Sequence, residues 1–203
     1  MTAFLLGITG PIGAGKSTVL QLLRERGVTV LDGDALVRDE QTRGTLGYAA
    51  IVQQFGTDVL DRETREIDRA RLGAIVFSDP AKLKQLEGIM HPRVVARVLE
   101  ARARLPDDQV LVAEAIRIIG SAMERLYDRI WVVLAPRATL VDRLTVNRGM
   151  SEDDIFRRLS SQLTDEKFRA RADTVIENTG DRIALEKAVD AAWKDLCAPR
   201  RQG

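Results

Sequence analysis

A glycine-rich loop near the start of the chain constrains its fold more than any other feature. Residues 10–17 read Gly-Pro-Ile-Gly-Ala-Gly-Lys-Ser, the complete GxxxxGK[ST] pattern of a phosphate-binding loop. The apolar run Phe4–Ile8 precedes this phosphate loop and predicts a strand, and the run Lys16–Arg26, which Gly27 ends, predicts a helix. The strand and helix on either side distinguish a functional loop from a chance glycine-rich turn. The sequence therefore predicts a binding site for a nucleoside triphosphate.

The residue types of the loop match the chemistry of a triphosphate. Its three glycines allow backbone N–H groups to turn toward phosphate oxygens, and the following helix adds the positive end of its dipole. Lys16 is spaced to reach the β- and γ-phosphates, and the Ser17 hydroxyl is spaced to bind Mg²⁺. We predict that the nucleotide site contains Gly10, Pro11, Ile12, Gly13, Ala14, Gly15, Lys16, Ser17 and Thr18.

Four further apolar runs predict the rest of a sheet, at Val28–Leu31, Val110–Ala113, Ile130–Ala135 and Thr174–Ile176. Because the runs are short and nearly unbroken, they suit strands that are covered on both faces, as in a parallel sheet. Helical patterns lie between them, and the last helix, at about 181–197, presents an apolar stripe with Trp193 that indicates core packing. The expected fold class is α/β, a parallel five-stranded sheet of the P-loop NTPase type flanked by helices.

Two helical stretches interrupt the alternation of strands and helices, at about 35–108 and about 137–172. In a phosphoryl-transfer enzyme they would be an acceptor-binding insertion and a closing lid, and the alternative is helical padding. The expected organisation is a single domain, with a core at about 1–34, 109–136 and 173–203.

Composition narrows the classes of partner. The 203 residues carry 31 basic and 30 acidic side chains, and this balance gives no reason to expect binding to nucleic acid or to a membrane surface. Cys197 is the only cysteine, so we expect neither a disulfide framework nor a thiolate metal cluster. No segment approaches the roughly 18 apolar residues of a membrane span, and the apolar N-terminus lacks the basic leader of a signal peptide. We expect a cytoplasmic monomer or weak homo-oligomer.

Acidic residues follow two of the predicted strands, at the edge of an open α/β sheet where ligands bind. Asp32 and Asp34 come after the second strand, where a carboxylate can take the proton of an attacking hydroxyl or hold Mg²⁺ through water. The alternative is a pair of strand-end and helix-capping aspartates. Glu114 ends the third strand, the usual place of an acid that assists the metal, although that acid is more often Asp.

Basic residues are concentrated in the second helical stretch. Guanidinium groups stabilise the charge that phosphoryl transfer spreads over the moving group, although most arginines on helices are only solvated. The candidates are Arg143, Arg148, Arg157, Arg158 and Lys167.

Two other residues are candidates either for a functional role or for an ordinary structural one. Asn178 follows the last strand and belongs either beside the nucleotide base or to an ordinary turn. His91 is the only histidine and precedes Pro92 at a predicted helix start, where a structural or capping role is the simpler interpretation. A metal site built on several histidines is excluded by count.

A longer ordered set of motifs runs from the phosphate loop almost to the C-terminus. In this order the motifs resemble those of the dephospho-coenzyme A kinase family. Two departures stand out: Gly33 replaces the usual Ala, and the stretch from Glu114 to Gly120 replaces the D-x-P-L-L-x-E that the family often shows. The motifs are Thr9–Thr18, Val28–Asp34, Gly44-Thr45, Phe55-Gly56, Asp68-Arg69, Phe77–Pro80, Met90–Pro92, Arg143-Leu144 with Arg148, Arg158-Leu159 with Gln162, and Ala172–Gly180.

The resemblance implies that ATP, with Mg²⁺, phosphorylates the 3′-hydroxyl of the ribose of dephospho-CoA. It implies Asp34 as the base, Asp32 as its support or a metal ligand beside Ser17, and Lys16 and Arg143 at the phosphates. Asn178 is assigned to the nucleotide site. The implied acceptor contacts are Thr9, Asp34, Arg69, His91 and Glu114.

Two alternatives remain at this stage. Another small-molecule kinase of the same fold would act on a nucleoside monophosphate or a metabolite hydroxyl, and such chains usually lack the His-Pro and the Asp-x-Asp found here. A GTP-binding switch protein would need an Asp-x-x-Gly element and an Asn-Lys-x-Asp base reader, and the sequence contains neither.

Overall fold

The computed structural model describes residues 2–115 and 118–198, which form two compact units. The first, the sheet unit, takes in the chain up to Val30 and again from Pro106. The second, the helical unit, is the continuous segment Leu31–Leu105. Ile116 and Arg117, which belong to the stretch that departs from the family pattern, lie outside the described residues.

The five predicted strands are confirmed. Their order in the sheet is β2-β3-β1-β4-β5, so the first strand of the chain is the central one. β1 pairs in parallel with both β3 and β4, and β4 pairs in parallel with β5. β1 and β4 are buried along nearly their whole length, which explains their unbroken apolar sequences. The strands are β1 Phe4–Thr9, β2 Thr29–Asp32, β3 Val110–Glu114, β4 Arg129–Leu134 and β5 Thr174–Glu177.

The described residues also form nine α-helices, four of them in the helical unit. Most begin at a side-chain cap, as where Thr45 accepts from the Tyr48 N–H and Ser151 from the Asp154 N–H. Such a cap contributes about 1 kcal/mol to a helix. The helices are α1 Lys16–Glu25, α2 Gly33–Glu40, α3 Leu46–Phe55, α4 Arg69–Phe77, α5 Pro80–Ala103, α6 Arg137–Arg148, α7 Glu152–Ser160, α8 Asp165–Arg169 and α9 Arg182–Cys197.

Each unit has its own apolar core. In the sheet unit, Trp131 is fully buried between the sheet and helices α1 and α9. Leu185 and Val189 of α9 are buried in this core and Trp193 packs against it, so the predicted core role of that stripe is confirmed. In the helical unit, α3, α4 and α5 pack around a core that includes Ile51.

The predicted helix start at His91 is wrong, because α5 runs through that position from Pro80. Asp79 caps this helix and Pro80 occupies its first turn, where proline is favoured. Pro92 has no N–H, so the helical hydrogen bond to the carbonyl of Gly88, four residues before it, is missing. The helix continues because Met90, before Pro92, is buried in the core of the helical unit. None of the described helices combines the length and hydropathy that a membrane crossing requires.

Candidate active site

The phosphate loop connects β1 to α1 in a backbone conformation that requires glycine. Gly10, Gly13 and Gly15 have positive φ angles of 146°, 81° and 94°. A Cβ on Gly10 would lie 2.2 Å from the carbonyl oxygen of Val133 in β4, so a side chain there would collide with the backbone of the sheet. The loop is therefore built against the central strands.

Lys16 lies over the loop and is almost completely buried. Its Nζ donates to the carbonyl oxygens of Gly10 at 2.9 Å and Pro11 at 3.1 Å. A carboxylate oxygen of Glu114, at the end of β3, lies 3.9 Å from the same Nζ, and both side chains are 10% exposed. The structure thus brings Glu114 to the phosphate loop, beside the lysine that the motif assigns to the phosphates.

Arg143 of α6 and Asn178 after β5 hold the other half of the loop. Arg143 Nη1 lies 3.3 Å from the carbonyl oxygens of both Gly13 and Ala14, and its Nη2 donates to Asn178 Oδ1 at 3.1 Å. Asn178 is 4% exposed and donates from Nδ2 to the Ala14 carbonyl at 2.8 Å. Asn178 is therefore more than a turn residue, because its buried amide joins the loop to the arginine.

Gln162 is a further residue at the loop, and we predicted no role for it. Its Oε1 accepts a hydrogen bond of 3.0 Å from the Ile12 backbone N–H. The signal was present in the lid motif, in which Gln162 follows Arg158 by four positions. Nothing local in that motif indicates that its partner is Ile12.

The remaining predicted residues of the sheet unit differ in accessibility. Ser17 is exposed in the first turn of α1, where its hydroxyl can reach a cation. Thr9, a predicted acceptor contact, is 0% exposed at the end of β1. Arg148 is exposed in the last turn of α6, and Arg157 pairs with Asp154 on its own helix. Among the described residues, no group of three or more His, Cys, Asp or Glu side chains is placed to hold a metal ion.

Tyr127 is a half-buried residue on the Glu114 side of the sheet unit. Burial and the charge of Glu114 raise the pKa of Tyr127 from 10.0 to about 12. Its ring packs on β1, because a Cβ built on Gly7 would lie 2.8 Å from the ring. The phenol therefore stays neutral and protonated across the physiological range.

The helical unit contains a separate cavity of about 350 Å³. It brings together Asp34 of α2 and Arg69 of α4, two predicted acceptor residues that are far apart in sequence. His91 is exposed on α5 and is not among the described residues that line the cavity. The lining residues are Asp34, Val37, Arg38, Gln41, Arg69, Leu72, Gly73, Val76, Phe77 and Leu86.

Asp32 caps a helix, which is the structural alternative that the sequence analysis gave to a role in catalysis or metal binding. It is the last residue of β2 and the N-cap of α2, and its Oδ1 accepts a 2.9 Å bond from the Ala35 N–H. This bond orients the first turn of α2, which contains Asp34. Its predicted part in metal binding stays a prediction.

A parallel sheet with a phosphate loop between β1 and α1, and an arginine and a lysine on that loop, defines a phosphate-loop kinase. A shikimate kinase from Acinetobacter baumannii has the same fold, with a TM-score of 0.56 at 16% identity over 98% of this chain and 96% of that one. The family model of dephospho-CoA kinase matches residues 4–183, and the chain belongs to that family.

Similar proteins support this membership over nearly the full length. A dephospho-CoA kinase from Thermobifida fusca is 40% identical over 94% of this chain and 95% of its own, and one from Streptomyces avermitilis is 42% identical over 94% and 93%. A solved structure from Thermus thermophilus has a TM-score of 0.83 at 33% identity and covers 97% of this chain and 99% of its own. The predicted family and fold class are therefore confirmed.

Proposed function

We propose that the chain transfers the γ-phosphoryl group of ATP to the 3′-hydroxyl of the ribose of dephospho-CoA, giving CoA and ADP. The observation that carries this proposal is the phosphate loop with Lys16 and Arg143 on its carbonyl groups, in a chain whose family model matches residues 4–183. Phosphoryl transfer relies mainly on positioning and on stabilising negative charge, and these two cations supply both.

On the donor side, the loop glycines and the N-terminus of α1 bind the phosphates. Lys16 now donates to two backbone carbonyls, which are weaker acceptors than an ionised phosphate. We therefore expect its ammonium group to move onto the β- and γ-phosphate oxygens when ATP binds. Its 10% exposure keeps the charge in surroundings where electrostatic attraction is strong.

Arg143 is proposed as the second cation on the triphosphate. Its two contacts with the Gly13 and Ala14 carbonyls are 3.3 Å long, so they are weak bonds that a phosphate oxygen can replace. The bond to Asn178 Oδ1 would hold the guanidinium in place during that exchange. Arg143 would then stabilise the charge that develops on the transferred group.

The residues present fit a magnesium ion held jointly with the nucleotide. Ser17 offers an exposed hydroxyl oxygen in the first turn of α1, and Mg²⁺ is usually bound by one or two protein oxygens together with substrate phosphates and water. Asp32 would contribute through water. When bound, the ion neutralises part of the charge on the β- and γ-phosphates.

On the acceptor side, we propose that dephospho-CoA binds in the cavity of the helical unit. Its volume of about 350 Å³ lies in the usual range for small-molecule sites. Arg38 and Arg69 would bind the phosphates of the acceptor, and Leu72 and Phe77 provide apolar walls. Asp34 would accept the proton of the 3′-hydroxyl. Glu114, Thr9 and His91 remain predicted acceptor contacts.

ADP production with a panel of acceptors tests the proposed substrate. Dephospho-CoA should give turnover well above AMP, adenosine, shikimate or water. Equal turnover with dephospho-CoA and with any of these acceptors would refute the assignment, and turnover with AMP or shikimate alone would favour another small-molecule kinase.

The cytoplasmic location, the monomeric or weakly oligomeric state and the lack of nucleic-acid partners stay predictions.

Asp34→Asn tests the proposed base. The substitution should lower turnover by about 10²-fold or more while ATP affinity stays nearly unchanged, because only the proton acceptor is lost. Asp39→Asn is the matched control, since Asp39 is exposed on the same helix and does not line the cavity. Near-normal turnover in Asp34→Asn would remove Asp34 from this role.

A further inference from the structure

The middle of the phosphate loop is packed against helices α6 and α7. Ile12 is 8% exposed and forms a small apolar cluster with Leu144 of α6 and Ile155 of α7. At the next position, a Cβ on Gly13 would lie 3.2 Å from Leu144 Cγ. The shape of the loop therefore depends on how these two helices are packed.

Gln162 adds a directional bond to this apolar contact. It lies two residues beyond the end of α7, in a turn where its own N–H donates to the Leu159 carbonyl at 3.2 Å. Its side-chain oxygen accepts the Ile12 N–H at 3.0 Å. The assignment of Oε1 to this bond follows from the chemistry, because a backbone N–H can pair only with the amide oxygen and not with the amide nitrogen.

This bond adds to the side-chain contacts that hold peptide groups of the loop, because the Ile12 N–H belongs to the same peptide group as the Pro11 carbonyl. Lys16 holds the carbonyls of residues 10 and 11, and Arg143 holds those of residues 13 and 14. Both cations are expected to move onto phosphates when ATP binds. Gln162 is neutral, so it has no comparable attraction to the phosphates and its bond can persist while ATP is bound.

We propose that Gln162 is a positioning residue for ATP. Its Oε1 fixes the Ile12 N–H and so keeps the phosphate loop in its binding shape while the two cations change partners. The inference rests on the proposed function in one respect, namely that ATP binds at this loop. Gln162 acts through the loop backbone and is not a catalytic residue.

The test compares Gln162→Met with Gln21→Met. Methionine keeps the length of glutamine but lacks a strong acceptor, and Gln21 is an exposed residue of α1 bonded to Glu25, which makes it a matched control. Loss of one hydrogen bond in Gln162→Met should weaken ATP binding about 3- to 10-fold by calorimetry. At saturating ATP, kcat should change less than about 2-fold, and Gln21→Met should bind ATP as the wild type does. Wild-type ATP affinity in Gln162→Met would overturn the proposal.

Amide hydrogen exchange in the nucleotide-free protein provides a readout that needs no activity. Exchange at the Ile12 amide should become about 10-fold faster in Gln162→Met, and it should not change in Gln21→Met. Gln162→Glu keeps an acceptor oxygen at the same reach, so it should retain most of the Ile12 protection. Equal loss of protection in Gln162→Met and Gln162→Glu would overturn the acceptor role. Failure to phosphorylate dephospho-CoA would refute the proposed acceptor instead. It would leave the ATP affinity from calorimetry and the exchange rate of the Ile12 amide unaffected.

Discussion

Gly15 and Asn178 are close enough that a side chain at one position should conflict with the other. A Cβ on Gly15 would lie 2.1 Å from Asn178 Nδ2, far inside van der Waals contact. Gly15→Ala must therefore displace the asparagine from its 2.8 Å bond to the Ala14 carbonyl. Removing the asparagine in advance should make the alanine easier to accommodate.

The magnitudes follow from these contacts. Gly15→Ala should lower the free energy of unfolding by about 1.5 kcal/mol because alanine is placed in a left-handed conformation, at a φ of 94°, and by about 2 kcal/mol more because the asparagine is displaced. Asn178→Ala should lower it by about 2 kcal/mol through the loss of two side-chain hydrogen bonds. This figure allows for water replacing the bond to half-buried Arg143. The double variant keeps the backbone cost but loses the clash. Its expected loss is about 3.5 kcal/mol, against about 5.5 kcal/mol for additive effects.

Urea unfolding of the wild type, both single variants and the double variant measures this coupling of about 2 kcal/mol. Gly27→Ala is the matched control, because Gly27 also has a positive φ of 80° but no heavy atom within 4 Å of its Cβ position. When Gly27→Ala is combined with Asn178→Ala, the two losses in the free energy of unfolding should add. Additivity within about 0.5 kcal/mol for the Gly15 pair would show that Asn178 does not restrict that position.

Two further predictions concern stability. Gly10→Ala should lower Tm by about 6–12 °C, because its Cβ would meet the Val133 carbonyl at 2.2 Å, whereas Gly27→Ala should lower it by only about 2–4 °C; equal shifts in thermal unfolding would contradict the steric argument. Because burial raises the pKa of Tyr127 to about 12, its contribution to stability is complete below pH ~10 and is lost as the pH rises toward ~12. Tyr127→Phe removes this phenol, whereas Tyr48→Phe keeps it. Between pH ~9 and ~11, the free energy of unfolding measured in urea should therefore fall by about 1 kcal/mol less in Tyr127→Phe than in Tyr48→Phe, and an equal fall in the two variants would refute the shift.

Features set by neighbouring residues were predictable from the sequence. The five apolar runs predicted the five strands, and the glycine pattern predicted the loop, since both depend on local conformation and burial. His91 was misplaced because Pro92 resembles a helix-start signal, whereas the burial of Met90 carries α5 through it. Here tertiary packing outweighed a local signal.

Contacts between distant residues were not predictable in the same way. Asn178 and Gln162 stand in recognisable motifs, but their partners Ala14 and Ile12 lie 164 and 150 positions away. The pairing of Asp34 with Arg69 in one cavity likewise depends on how α2 and α4 pack on α5. A single sequence contains no direct record of such pairings.

The position of β1 in the sheet has a consequence for how the protein is made. β1 is the central strand of the sheet and is synthesised before the other four strands, but its partners begin only at Val110 and Arg129. The helical unit, Leu31–Leu105, is continuous and can fold while these partners are still missing. We expect the phosphate loop, although encoded before these partners, to take its final shape only late in translation, once Asn178 has been added. Until β3 and β4 have been added, the apolar β1 segment lacks its strand partners, and we expect the chain to be most prone to aggregate in this interval.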